Sequence, residues 1–137
     1  MEKAQEHRGH QVLLIVAVEG RRIRIGRLLA RAGYRIHLAV TQREALHNLA
    51  HRDMSGWQGP DVILVDQESL GTAARVVIGA IRNAEIDVPI VVLSAFGAAD
   101  DVIGCLRAGA TDYISLPAEP GQVLDVLRRA LAAPTVT

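Results

Sequence analysis

Asp66 is the residue of this chain best placed to do chemistry. It closes an apolar run, Asp61-Val62-Ile63-Leu64-Val65-Asp66, and runs of this kind read as strands buried on both faces. The last residue of such a strand sits at the carboxyl edge of an open α/β sheet, where ligands and reacting groups gather. A carboxylate there could act as a nucleophile, help to hold a cation or accept a phosphoryl group. The strand ends expected beside it offer little help. The first strand ends Leu14-Ile15-Val16-Ala17-Val18, with no acid before Glu19, and the last runs Asp112-Tyr113-Ile114-Ser115-Leu116-Pro117, with Leu116 where a cation would serve.

Other reactive side chains form weaker constellations. His47 and His51 lie four residues apart in a helical stretch, a spacing that can hold zinc, but no third ligand accompanies them and a solvated helix face is the expectation. His7 and His10 fall in the polar N-terminal stretch. Cys105 reads as a small packing residue. The chain has no glycine-rich phosphate loop and no nucleophile–histidine pair of the usual kind.

The elements that must position Asp66 alternate regularly. Val12 to Val18 reads as a first strand that Gly20 breaks, and Arg21 to Ala32 as a helix with Ile23, Ile25, Leu28, Leu29 and Ala32 near one face and Gly33 as its stop. Tyr34 to Val40 reads as a second strand. Thr41 and Glu44 form a capping box for a helix running to about His51. Met54 to Gly59 is a loop, and Pro60 leads into the strand that ends at Asp66. Thr72 to Asn83, Ala98 to Ala108 and Glu119 to Ala132 read as further helices, with strands at Ile90 to Ser94 and Thr111 to Ser115 between them and Pro134 as the final stop. Five such alternations predict a parallel sheet with helices on both faces. A flexible tail over 1–10, one domain over 11–133 and a short tail over 134–137 are expected.

Composition narrows the classes. Of 137 residues half are hydrophobic and only four are aromatic (Trp57, Phe96, Tyr34 and Tyr113), so the core must be aliphatic. The formal net charge is zero, which gives no general reason to expect nucleic acid or an acidic membrane as partner. A single cysteine suits a reducing compartment. No apolar run approaches the roughly 20 residues needed to span a bilayer, and the polar N-terminus has no signal-peptide core. A cytoplasmic protein is the expectation.

With these residues in order, the chain resembles the receiver domain of bacterial response regulators over nearly its whole length. Asp61 to Asp66 is similar to the strand carrying the phosphorylated aspartate, and Pro89-Ile90-Val91-Val92-Leu93-Ser94-Ala95 to the strand ending in the switch hydroxyl. Ala108-Gly109-Ala110-Thr111-Asp112-Tyr113-Ile114 is similar to the approach to the last strand, and Leu116-Pro117 stands where the family has Lys-Pro. The resemblance implies a flavodoxin-like (βα)5 fold, a doubly wound five-stranded parallel sheet of order 2-1-3-4-5. It also implies Asp66 as phosphoryl acceptor, Ser94 and Tyr113 as the switch pair, and a cis bond before Pro117.

The resemblance is uneven at the site. The acidic pair that helps to bind magnesium maps onto Ala17 and Val18, and the lysine onto Leu116. Glu19 is displaced by one residue, Glu68 would offer a metal only its backbone carbonyl, and Leu70 stands where proline is usual. Magnesium is usually held by one or two carboxylates with water and phosphate, so weak binding at most is expected here. Arg21 and Arg22 could restore some positive charge, although Arg21, Arg22, Arg24 and Arg27 read first as a solvated helix face.

The leading expectation is therefore a degenerate receiver acting through protein contacts. Its docking and dimer face would be the fourth helix, fifth strand and fifth helix, drawing on Val102, Arg107, Asp112, Gln122, Asp125 and Arg129. The alternative is a true phospho-acceptor modified on Asp66 by a histidine kinase. An aspartate-nucleophile phosphatase ranks third, because Asp66-Gln67-Glu68 lacks the second aspartate of an Asp-x-Asp nucleophile motif.

Overall fold

The computed structural model describes residues 9–51, 59–95 and 99–132. The loop expected at Met54 to Gly59 lies almost wholly outside that range, as do His7, Trp57, Phe96, the Pro134 stop and most of both tails. Five strands, β1 (Gln11–Ile15), β2 (Arg35–Ala39), β3 (Val62–Asp66), β4 (Ile90–Ser94) and β5 (Asp112–Ser115), form one sheet of order β2-β1-β3-β4-β5. All four pairings are parallel. Five helices connect and close it: α1 (Glu19–Arg31), α2 (Gln42–Ala50), α3 (Ala73–Asn83), α4 (Ala99–Ala108) and α5 (Pro120–Ala132). A single helical turn, Gln67–Leu70, follows β3 directly. This is the parallel sheet that the alternation predicted, in the flavodoxin-like doubly wound order that the resemblance implied.

Two aliphatic cores lie on the two faces of the sheet, because successive strand side chains point to opposite sides. Leu14, Leu64, Val91 and Leu93 pack with Leu29 of α1 and with Val123 and Leu127 of α5. Leu13, Ile63, Val65 and Val92 pack with Leu49 of α2, Ile78 and Ile81 of α3 and Cys105 of α4. β3 and β4 are buried at every position, so the apolar run ending at Asp66 occupies the middle of the sheet.

Local signals explain most boundaries. The Thr41 hydroxyl accepts from the Glu44 amide at 3.1 Å, and the Glu44 carboxylate reaches back to the Val40 amide at 2.8 Å, one residue before the usual capping-box partner. Gly33 follows α1 with φ +95°, a left-handed position that glycine adopts without a Cβ penalty.

The start of α1 departs from the expected reading. β1 ends at Ile15, the Val16 amide still donating to the Ala39 carbonyl of β2 at 3.1 Å, so Ala17 and Val18 connect the sheet to the helix rather than extending the strand. The helix then begins at Glu19, with Gly20 inside its first turn. Gly20 therefore does not separate strand from helix.

Candidate functional site

Asp66 is completely buried at the carboxyl end of β3, between β1 and β4. β1 reaches only Ile15, opposite Val65, so the Asp66 side chain lies beyond the end of its neighbour's ladder. The helical turn after β3 brings two further side chains back to it. Ser69 donates its hydroxyl to Asp66 Oδ2 at 2.6 Å, and the same hydroxyl oxygen accepts from the Ala17 amide at 2.7 Å. The Val18 amide approaches that oxygen at 3.4 Å.

Arg21 completes the cluster. Its Nη1 lies 2.8 Å from Asp66 Oδ1 and 2.9 Å from Oδ2, and its Nη2 donates to Glu68 Oε2 at 2.8 Å. One guanidinium thus spans two carboxylates, only 18 % of its side chain being exposed. Burial by itself would lower the Arg21 pKa. The hydrogen bonds and charges of Glu68 and Asp66 more than offset this and hold it above its ordinary value. Short charge-assisted bonds of this kind are among the stronger polar contacts in proteins.

This geometry corrects one expectation. Arg21 is not part of a solvated helix face: it is the cation of the Asp66 pocket. Arg22 makes no ion pair among the described residues. The Glu68 side chain accepts from the Arg21 guanidinium. Ser69 was not singled out by sequence at all. Its signal, a hydroxyl three residues after a strand-end aspartate, is common in turns that have nothing to do with a site.

The remaining positions divide clearly. Ala17 and Val18 meet the cluster through their amides, where an acidic pair would have used side chains. Glu19 is exposed in the first turn of α1 and takes no part in these bonds. Leu116 is half-buried against the core shared by α1 and α5, and the bond joining it to Pro117 is cis, as the resemblance implied. Ser94 is buried at the end of β4, and its hydroxyl contacts the Ala95 carbonyl at 3.2 Å. Tyr113 is 44 % exposed on β5.

Outside this edge, the His47 and His51 rings stack with centroids 4.1 Å apart. No cluster of three or more metal-ligating side chains occurs among the described residues. Cys105 is buried in the second core, and burial pushes its thiol pKa up, so it is a packing group. On the expected docking face Val102 is buried rather than available. The exposed apolar side chains of that region are Ile103 and Leu106 of α4 and Tyr113 of β5. Three of its charges pair within the chain, Arg129 with Asp112 at 4.0 Å and Asp125 with Arg128 at 3.1 Å.

A five-stranded sheet of order 2-1-3-4-5, with an aspartate at the end of its third strand and a hydroxyl at the end of its fourth, defines a receiver-type signalling module. The chain belongs to the response regulator receiver domain family, whose model matches residues 13–128. It is similar to the luminescence regulatory protein LuxO of Vibrio campbellii, 28 % identical over 103 residues that make up 75 % of this chain and 21 % of LuxO. It is also similar to the transcriptional regulatory protein PrrA of Mycobacterium leprae, 34 % identical over 63 % of this chain and 34 % of PrrA. The chain thus spans about a fifth of LuxO and a third of PrrA. Among solved structures, the receiver domain of the sensor histidine kinase PA1611 from Pseudomonas aeruginosa superimposes with a TM-score of 0.79 at 26 % identity, covering 91 % of this chain and 99 % of that one. In that receiver a magnesium ion is coordinated in the active-site cleft. Receiver domains belong to two-component signalling and act by contacting histidine kinases and other proteins. Among the described residues, no helix is long and apolar enough to cross a membrane.

Proposed function

We propose that this receiver is a degenerate one, in which an internal guanidinium takes the place of the metal and the lysine, and that it signals through protein contacts rather than through phosphorylation of Asp66. The observation that carries this reading is the Arg21–Asp66–Ser69 cluster: both carboxylate oxygens already accept hydrogen bonds and neither is open to solvent. Attack on a phosphodonor needs a free carboxylate oxygen, and it needs charge neutralisation on the incoming phosphoryl oxygens. Here the Arg21 cation, the one beside Asp66 among the described residues, is committed to the nucleophile itself and to Glu68.

The residues present do not fit a magnesium ion. Ala17 and Val18 offer no carboxylate, and a divalent ion brought to Asp66 would meet the Arg21 guanidinium as a like charge. The chain's output is then contact-driven. The exposed Ile103, Leu106 and Tyr113 around α4 and β5 support that region as the docking or self-association face. The role proposed is that of a cytoplasmic, non-enzymatic adaptor.

Incubation with acetyl phosphate and magnesium, read by intact mass against an Asp66→Asn control, tests this. No adduct on folded protein is expected. An adduct lost in the control would overturn the reading in favour of a working phospho-acceptor served by a histidine kinase.

A further inference from the structure

A groove of about 580 Å³ lies between α1 and the segment leading from β5 into α5. Its apolar lining is Ile25 and Leu28 of α1, Leu116 and Pro117 after β5, and Val123 of α5. Two cations line it as well, Arg21 and Arg24. The guanidinium of Arg21 is committed to Asp66 and Glu68, whereas Arg24 is exposed and makes no ion pair among the described residues. The volume falls inside the roughly 300–1,000 Å³ of small-molecule sites, and a mostly apolar concavity with one or two polar anchors is their usual make-up.

Leu116 matters to this groove. A lysine there would bring an ammonium group to this end of the sheet. Leucine instead packs against the core and supplies apolar wall. The same residue type that leaves the Asp66 pocket without its lysine therefore makes the neighbouring groove hospitable to an apolar body.

We infer that this groove binds a small amphipathic anion, an apolar chain or ring system of medium size bearing one carboxylate, with the Arg24 guanidinium taking the carboxylate. A planar fork of donors suits that headgroup, and among the described residues no second open cation in the lining calls for a multiply charged ligand. Arg21 lines the same groove while holding Asp66, so occupancy would bear on the Arg21–Asp66–Glu68 cluster and could provide an input in place of phosphate. This regulatory part rests on the reading of Asp66 as held rather than phosphorylated; the binding itself does not.

The test is a titration of isotope-labelled protein with decanoate, followed by backbone amide shifts, with decanol as the neutral probe. Saturable shifts clustered at Ile25, Leu28, Leu116 and Val123 are expected. Arg24→Gln, an exposed substitution that leaves the core untouched, should weaken decanoate about tenfold, as for loss of one charge-assisted hydrogen bond, and leave decanol unchanged. Ala118→Trp, which fills the groove from its half-buried wall, should abolish binding of both. Absence of saturable shifts below the micelle concentration, shifts scattered over the surface, or an unchanged decanoate affinity in Arg24→Gln would overturn the site. An Arg21 side-chain N–H signal that does not move at saturation would overturn the regulatory part alone. A phosphoryl adduct on Asp66 would overturn the earlier reading and leave the binding result standing.

Discussion

Two partly buried arginines tie elements together at opposite ends of this sheet, and their partners differ in kind. Arg21, at the carboxyl edge, holds the carboxylates of Asp66 and Glu68. Arg82, near the end of α3 at the amino edge, donates to three backbone carbonyls, those of Gly109 at 2.9 Å, Ile86 at 2.7 Å and Val88 at 2.7 Å. It joins the end of α3, the approach to β4 and the turn after α4, and its neighbour Thr111 accepts from the Ile90 amide at 3.0 Å. Burial lowers the Arg82 pKa, with Asp87 opposing, whereas Arg21 ends above its ordinary value. Carbonyl partners hold a guanidinium by geometry without cancelling its charge. Carboxylate partners cancel it. The first arrangement is a clamp for the fold; the second neutralises the carboxylates at the strand end.

If that distinction is right, removing the clamp is the more damaging change. Arg82→Ala strands three carbonyls that the clamp now satisfies, and a loss of about 3 kcal/mol in unfolding free energy is expected from chemical denaturation. Arg82→Lys should recover only part, because one ammonium cannot reproduce the fork. The space is also shaped around this side chain: a Cβ at Gly109 would stand 2.6 Å from Arg82 Cγ, at a φ of +127°. A loss below about 0.5 kcal/mol, the level of an ordinary surface substitution, would mean that Arg82 is not a clamp and would break the comparison at its structural end.

The corresponding change at the other edge should cost less in the fold and reveal more about the site. Arg21→Ala leaves the fully buried Asp66 carboxylate with Ser69 as its remaining side-chain partner. Breaking a buried pair in this way commonly costs about 3–5 kcal/mol. Here the arginine is part-exposed and water can reach the vacated space, so about 2 kcal/mol is expected. Asp66→Asn should relieve most of that penalty when combined with Arg21→Ala, since it removes the orphaned charge. A double variant no more stable than Arg21→Ala would show that charge neutralisation is not what Arg21 supplies.

The amino-acid sequence makes the scaffold of this comparison legible and hides its subject. The strand ending at Asp66, the hydroxyl at Ser94, the Thr41–Glu44 capping box and the strand order all follow from local pattern or from resemblance, because each depends on residues adjacent in the chain or on a repeated alternation. Arg21 could not be separated in this way from Arg22, Arg24 and Arg27. All four share one helix, and it is the burial of Ile25 and Leu29 that puts Arg21, four residues before Ile25, on the sheet side, whereas the apolar pattern also offered Ile23, which is exposed. The helix starts at Glu19 rather than at Arg21 because the backbone leaves β1 after Ile15 and takes Gly20 into its first turn. Ser69 was equally hidden, because the turn that brings it back to Asp66 is four residues long and carries no periodic signal. The Arg82 clamp is long-range for the same reason: Gly109 lies 27 residues away in sequence.

The smallest expected effect comes from pH, and it sharpens the contrast because neither arginine titrates in the ordinary range. His37 on β2 does. It is half-buried, its Nε2 lies 2.7 Å from Gln11 Oε1 on the adjacent strand, and burial lowers its pKa from the ordinary 6.5. The folded state therefore favours neutral His37 more than the unfolded chain does. Above the ordinary value both states are neutral and the fold carries no penalty from this group. As pH falls below it the unfolded state takes up a proton first, and stability declines until the folded pKa is passed. Thermal unfolding between pH 7 and pH 5 should show a modest loss, under about 1 kcal/mol, that His37→Gln removes. A slope that persisted in His37→Gln would place the acid sensitivity elsewhere in the molecule and remove burial of this ring as its cause.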